Sequence, residues 1–350
     1  MPLSKRTLGK NGPFVSAIGL GTMGMGSGAA LGTIYGANDD KVTFEMLTYA
    51  ANRGMTFWDT ADVYGHSEDL IGKWFTGTGR RSEIFLATKF GAFDPTKTTR
   101  KPNSKPSYIV QQLKKSMERL QTEYIDLYYQ HRVDPEVPIE IVLETLRPFV
   151  ESGQIRWIGL SEPSIATLKR AKAVPGLGEK IIAAQMEFSP FELYVEKTGF
   201  ADAIKEAGMA VVAYSPLSRG LITGRFKSPA DFAENDGRRV LPRFSEENFP
   251  KNLKIVDELQ KFADKYKATA SQITLAWILA EHPNFIPIPG IRSIERVEEN
   301  ALAAAITLAP EDVKAIRLLV ETAEVAGERY PTSRIPASDC IPLSKWTGEA

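Results

Sequence analysis

The sequence predicts an α/β fold: a (β/α)8 TIM barrel with an N-terminal β-hairpin and a C-terminal extra helix and tail. Three observations carry that prediction. Short apolar runs alternate with longer amphipathic segments along the whole chain, as in successive βα units. The runs show little polar alternation, which suits strands buried on both faces of a parallel sheet. Finally, 350 residues hold a barrel of roughly 250 residues plus insertions, and no linker or low-complexity stretch divides them. Residues 1–350 therefore read as one domain. A doubly wound open sheet is the alternative, because the spatial order of strands is not written in the sequence.

Taken in order, residues 5–16 carry the turn KNGPF between two short runs and read as the hairpin. Eight strand candidates follow at 18–23, 57–61, 84–89, 125–131, 155–161, 183–188, 210–215 and 285–289. Helical spacing places Val42, Met46, Leu47 and Ala50 on one face of 40–53. The same spacing groups Ile109, Leu113, Met117 and Leu120 in 107–120, behind Ser107 as the expected N-cap. The pattern repeats at 138–152, 164–173, 197–207 and 271–281. Residues 217–250 form a long loop rich in Gly, Pro, Arg and Phe, and loops of that length in a compact domain are usually functional. Residues 310–325 read as the extra helix and 326–350 as an irregular tail.

Composition narrows the function. Lys plus Arg is 43 and Asp plus Glu is 43, so the net charge of zero gives no footprint for nucleic acid or an anionic membrane. The single cysteine, Cys340, excludes a disulfide framework and a cysteine-based zinc site, and three histidines leave little for any metal. No apolar run approaches the roughly 18 residues of a bilayer span, and the N-terminal stretch has no apolar core of a secretory signal. A soluble, cytoplasmic protein with a small-molecule partner is the expectation.

Residues 19–24 spell G-x-G-x-x-G. In a dinucleotide-binding fold that motif must open a helix, with an acid ending a second strand about 20 residues later. Here glycines continue at 26, 28, 32 and 36, each costing a helix roughly 1 kcal/mol against Ala. The stretch reads instead as a Gly-rich loop over a pocket.

Barrel enzymes carry their chemistry at the C-terminal ends of strands. Asp59 ends the second strand and Tyr64 follows in its loop, Lys89 ends the third and His131 the fourth. Singly, each has a bland role as cap, packed aromatic, solvated strand end or core histidine. Jointly they form one device. A phenol is a poor acid at neutral pH, an ammonium beside it favours phenolate, a carboxylate holds that ammonium, and an imidazole hydrogen-bonds a carbonyl oxygen. The set can protonate a developing alkoxide, with the hydride left to a cofactor.

These residues lie in stretches that resemble the aldo-keto reductase superfamily: IGLGTMGM (18–25), FWDTADVYG (57–65), ATKFG (87–91), IDLYYQHR (125–132), GLSEPS (159–164), YSPLSRGLITG (214–224) and IPIPGIRSIERVEEN (286–300). The match runs in order over almost the whole chain. Among its branches it is similar to the fungal and plant pyridoxal reductase-like and perakine reductase-like enzymes. The resemblance implies NADPH-dependent, reversible reduction of an aldehyde or ketone, with Tyr64 as general acid, Lys89 lowering its pKa, Asp59 as counter-ion and His131 orienting the carbonyl. It places Ser161, Glu162 and Gln185 at the nicotinamide carboxamide and Tyr214 against the ring. Gly21, Thr22, Met23 and Asp59 would line the ribose side, Ser215, Leu217, Ser218, Gly220 and Leu221 the pyrophosphate, and Glu299 and Asn300 the adenine, with Gly290 alongside. Many members carry Asn where this chain has Glu162, which accepts but does not donate hydrogen bonds when ionised.

Arg292 and Arg296 open a helix after the eighth strand, and two guanidiniums at a helix start suit the 2′-phosphate of NADPH. The alternative is an exposed helix with ion pairs to Glu295 and Glu299. The 217–250 loop is expected to cover the cofactor. Met25, Tyr35, Phe90 and Arg132 are the candidate substrate-pocket residues. Arg132 either binds an anionic substrate group or pairs with Asp134. A cofactor-binding regulatory subunit with slow turnover, like the channel β subunits that share this fold, is the alternative function. A glycosidase would need two carboxylates about 5–9.5 Å apart, and strand ends YYQH and VAYS supply none.

Overall fold

The computed structural model describes residues 3–26, 39–94, 100–331 and 338–349. Strands β1 (Lys5–Thr7) and β2 (Phe14–Ser16) pair as the antiparallel hairpin. The barrel strands are β3 (Leu20–Gly21), β4 (Phe57–Asp59), β5 (Phe85–Phe90), β6 (Ile125–Gln130), β7 (Ile155–Ser161), β8 (Ile181–Glu187), β9 (Ala210–Tyr214) and β10 (Phe285–Ile288). Each pairs in parallel with the next in sequence. The sheet closes where Gly19 N donates to Pro287 O at 2.9 Å, Gly21 N to Pro289 O at 3.0 Å and Ile291 N to Gly21 O at 3.2 Å. A Cβ on Gly21 would stand 2.8 Å from Ile288 O, so this seam admits only glycine.

The interior is filled by Phe57, Ala87, Leu127, Tyr129, Ala183, Ala210, Val212 and Ile286. Leu8 and Val15 of the hairpin join that cluster and stopper the barrel at the end opposite the strand C-termini. Arg6 pins the hairpin by donating to the carbonyls of His282 and Phe285 at 2.7 and 3.1 Å.

The helices are α1 (Asp40–Asn52), α2 (Ser67–Thr78), α3 (Pro106–Leu120), α4 (Ile139–Glu151), α5 (Ile165–Lys172), α6 (Tyr194–Lys197), α7 (Phe200–Glu206), α8 (Phe249–Tyr266), α9 (Ala270–Glu281), α10 (Ile294–Ala303) and α11 (Pro310–Thr322). The expected helix start at Ser107 is corrected by one turn position. Pro106 occupies the first turn, where its fixed φ suits a helix and its missing N–H costs nothing, and Lys105 is the N-cap. Ser107 N instead donates to Glu349 of the tail at 2.9 Å. Helices α2 and α8 stand outside the helical segments read from the sequence. Gly72 and Gly77 dilute α2, whereas α8 buries Asn252, Ile255, Val256, Leu259 and Ala263 at clear helical spacing.

The 217–250 loop is built of short 3-10 turns around its own aromatic cluster. Phe232 lies 4.5, 5.7 and 6.0 Å from Phe226, Phe244 and Phe249, centre to centre. The extra helix α11 docks on α8 and α9 through Lys265–Asp312 at 2.7 Å and Arg317–Glu281 at 3.1 Å. The tail then returns over the barrel mouth. Among the described residues no helix is long and apolar enough to cross a membrane, and no cluster of His, Cys, Asp or Glu is placed to hold a metal.

Candidate active site

Asp59, Lys89 and His131 hang from the adjacent ends of β4, β5 and β6, and Tyr64 comes back over them from the loop after β4. Lys89 is fully buried; its Nζ bonds Asp59 Oδ1, donates to Thr60 O at 2.8 Å and reaches Tyr64 Oη at 3.5 Å. Gln185 Nε2 holds the other Asp59 oxygen at 2.8 Å. The His131 ring stands edge-on to Tyr64 at 5.7 Å between centroids. Its Nδ1 is buried and has no hydrogen-bond partner among the described residues. All four residues that the sequence singled out thus meet at one point.

Their electrostatics follow from burial. Burial pushes the Tyr64 phenol up, and Lys89 pulls it back without winning, so Tyr64 rests protonated. Lys89 thus acts in the expected direction, but burial outweighs it. Burial opposes the charge on Lys89, but Asp59 and Tyr64 outweigh it and hold the ammonium above its ordinary value. Burial, then Lys89 and Arg132, push His131 well below the usual histidine range, leaving a neutral imidazole.

The opposite side of the mouth is a polar rim. Glu162 follows β7 at φ 55° and accepts from Tyr214 Oη at 2.8 Å and Arg329 Nη2 at 2.9 Å. Arg329 also faces Glu187, at the end of β8, at 3.5 Å, and Arg219 pairs with Glu187 at 3.2 Å. Tyr330 Oη lies 3.4 Å from Tyr214 Oη. Burial opposes the charge on Glu162, yet Arg132 and Arg329 hold its carboxyl below the ordinary value. Six described non-glycine residues have positive φ. Gln121 and Lys267 are helix C-caps, while Glu162, Ser215, Ser218 and Arg219 all sit here. Such strain, about 1–3 kcal/mol per residue, persists where function over-determines the backbone.

The remaining cofactor candidates are distributed along the mouth. Ser161 Oγ accepts from Arg132 at 3.2 Å. Thr22 Oγ1 donates to Asp59 O at 2.9 Å, and Met23 packs beside Tyr64. Ser218 N closes on Ser215 O at 2.8 Å, and Gly220 N on Leu217 O at 2.9 Å. Leu221 is buried in the main core, so only its backbone is available to a ligand. Gly290 borders open space. Arg296 pairs with Glu299 of its own helix. Arg292 instead faces Arg238 of the long loop; burial, then the Arg238 charge, lower its pKa. Asn300 is buried and its Oδ1 has no partner among the described residues. Arg238 itself is bonded to Asp236 at 2.6 Å, and the Arg292 guanidinium beside that pair, with the buried orphan amide oxygen of Asn300, fits a phosphate and an adenine.

Two pocket candidates are corrected. Phe90 has no exposed surface and packs 5.0 Å from Tyr128 in the core. Met25 is equally buried, beside Leu20, Met46 and Trp58. Both turn inward because apolar burial outweighs their position near the mouth. Tyr35 lies outside the described residues. The sequence reading missed Glu187, Arg329 and Tyr330. Glu187 ends a strand, so the rule that nominated Asp59 applies to it equally. Nothing local marks the other two.

A barrel with this floor and rim defines an oxidoreductase scaffold, and the comparisons agree. The aldo/keto reductase family profile matches residues 17–321, and the chain belongs to that family. It is 46% identical over 331 residues to aldo-keto reductase str7 of Strobilurus tenacellus, covering 94% of this chain and 95% of that protein. It is 44% identical to the Schizosaccharomyces pombe aldo-keto reductase yakc, whose name includes NADP(+), over 95% of both chains. Among solved structures, a holo-form aldo-keto reductase from Bacillus halodurans superposes with TM-score 0.72 at 26% identity, covering 93% of this chain and 98% of that one. A thermostable relative bound to the inhibitor epalrestat gives 0.71 at 29% identity, covering 91% and 100%.

Proposed function

We propose that this protein reduces an aldehyde or ketone to the alcohol, reversibly, with NADP(H) as the cofactor. The observation that carries the reading is the buried chain Asp59–Lys89–Tyr64, with Lys89 Nζ 3.5 Å from the phenol and the neutral His131 ring edge-on to it. NADPH, when held at this mouth, would supply the hydride for the carbonyl carbon. His131, neutral, donates a hydrogen bond to the carbonyl oxygen and fixes its direction. Tyr64, protonated at rest, gives its proton to that oxygen as it gains charge. The Lys89 ammonium stabilises the phenolate left behind, and Asp59 keeps the ammonium charged and aimed. Gln185 holds Asp59 from the far side.

Ser161, Glu162, Gln185 and Tyr214 would receive the nicotinamide end, and the Ser215–Leu221 turn the pyrophosphate. Arg292, with Arg238 facing it, and Asn300 would receive the phosphorylated adenosine. The Arg238 placement supports the long loop as a cover for the cofactor. The name of the yeast relative supports NADP over NAD.

The test follows cofactor oxidation with 4-nitrobenzaldehyde, using NADPH and NADH in parallel. Sustained turnover with NADPH and weak turnover with NADH is the expected result. Tight NADPH binding without turnover would move the protein to the cofactor-binding regulatory class. No binding would remove Arg292 and Asn300 from the cofactor.

A further inference from the structure

Arg132 follows His131 directly, and the sequence left it between two roles. The pairing with Asp134 does not form. Asp134 Oδ2 accepts from Ser104 N, in the segment before α3, at 2.7 Å and Oδ1 from Glu136 N of its own loop at 2.9 Å, so backbone N–H groups occupy both oxygens. The Arg132 guanidinium goes to the site instead. It donates to His131 O and to Ser161 Oγ, each at 3.2 Å, and lies 6.0 Å from the centre of the Tyr214 ring. All of these partners are uncharged, and among the described residues Arg132 makes no ion pair.

Charge counting around the mouth sharpens the point. On the floor, Lys89 is balanced by Asp59 and His131 is neutral. On the rim, Glu162 is taken by Arg329, and Glu187 by Arg219 and Arg329. Three guanidiniums therefore face two carboxylates on this rim, and Arg132, half-buried beside Tyr64 and His131, is the one that bonds no carboxylate among the described residues, although it feels the Glu162 charge through space. A guanidinium cannot shed its proton to escape burial, so the site gains by admitting an anion. A single excess charge is neutralised by a monoanion, whereas a dianion would reverse it. The planar fork of a guanidinium matches a carboxylate in two parallel bonds.

We propose that Arg132 binds a carboxylate on the substrate, so that the carbonyl compound reduced here is an oxo- or formyl-acid. The inference rests on the reductase reading above. Two neighbouring residues then grip one molecule: His131, with Tyr64, at its carbonyl oxygen and Arg132 at its carboxylate. Such two-point binding fixes the carbonyl carbon in one orientation.

The experiment compares 3- and 4-formylbenzoate with their methyl esters under NADPH, in the wild type, Arg132→Gln and Arg132→Lys. The quantity read is the acid-to-ester ratio of kcat/KM in each protein, in which intrinsic aldehyde reactivity and any general loss of activity cancel between variants. NADPH affinity is measured alongside by fluorescence, which also reports that each variant is folded. The ratio is expected to fall roughly 10- to 100-fold in Arg132→Gln, mainly through KM of the acids, and less in Arg132→Lys. An unchanged ratio overturns the assignment. So does a loss of NADPH affinity that matches the loss of turnover, because Arg132 would then be a cofactor contact. Turnover of the esters with no preference for the acids sinks Arg132 alone. No turnover of any aldehyde sinks the reductase reading and this inference with it.

Discussion

On the β4–β6 side of the mouth, Asp59, Lys89 and His131 sit on or directly after regular strands. On the β7–β9 side, Glu162, Ser215, Ser218 and Arg219 hold positive φ, and the tail grips this side through Arg329 on Glu162 and Tyr330 on Tyr214. The floor is made by strand register: Lys89 pairs with Tyr129, two residues before His131, and Asp59 with Ala87. The rim is made by contacts across 116 and 167 residues of chain. Register delivers chemistry with little backbone strain. A rim that must pass along a cofactor and a substrate takes its shape from strain and from a separable strap.

The difference predicts opposite mutational patterns. The largest effect belongs to the floor. Tyr64→Phe should lower kcat for aldehyde reduction by about 10²–10⁴-fold while leaving NADPH affinity close to wild type, because the lost proton is used only in the transition state. Steady-state rates and a fluorescence titration check this. A larger loss in affinity than in kcat would erase the separation between floor and rim.

Lys89→Met comes next. It leaves Asp59 charged with only the Gln185 amide beside it, where breaking a buried pair costs about 3–5 kcal/mol. Urea unfolding should show that loss, and a change under 1 kcal/mol would mean that Asp59 is already protonated in the fold. Arg329→Ala removes charge-assisted bonds worth about 1.5–3 kcal/mol, but from a strap. Its cost should appear as faster hydrogen exchange in residues 326–331 with little change in the global urea midpoint. Unchanged exchange there would show that the strap is held by other contacts.

The same contrast explains what the sequence disclosed. Tyr64, Lys89, Asp59 and His131 were legible because each stands at or just after a strand end and strand ends converge in a barrel. The strand ladder was legible because burial on both faces writes uninterrupted apolar runs. Arg329 and Tyr330 were invisible because their partners are far away in the chain and their own neighbourhood is a polar tail. Phe90 and Met25 were misplaced because the sequence locates a residue at the mouth but not the direction its side chain takes. Ser107 looked like an N-cap until Pro106 claimed the helix start.

The smallest effect separates the two regions along the pH axis. His131 is held well below 6.5, chiefly by burial and then by Lys89 and Arg132. Its unfolded form binds a proton below about pH 6.5 and the folded form does not. Its contribution to stability is therefore complete above that value and shrinks as pH falls towards the folded pKa, by at most about 1.4 kcal/mol per pH unit. Glu162 is also depressed, against an ordinary value of 4.5, so its loss has the same sign but begins only below that pH. Asp59 and Glu68 are raised by burial and act in the opposite sense, which makes the wild-type curve alone uninformative. The difference between wild type and His131→Gln cancels them. Urea unfolding at pH 7, 6 and 5 should show the stability difference moving against the wild type as pH falls, by at most about 1.4 kcal/mol per pH unit. A flat difference would mean that His131 accepts its proton in the folded site. The neutral imidazole at the floor would then be lost, and with it the charge count on which the Arg132 assignment rests.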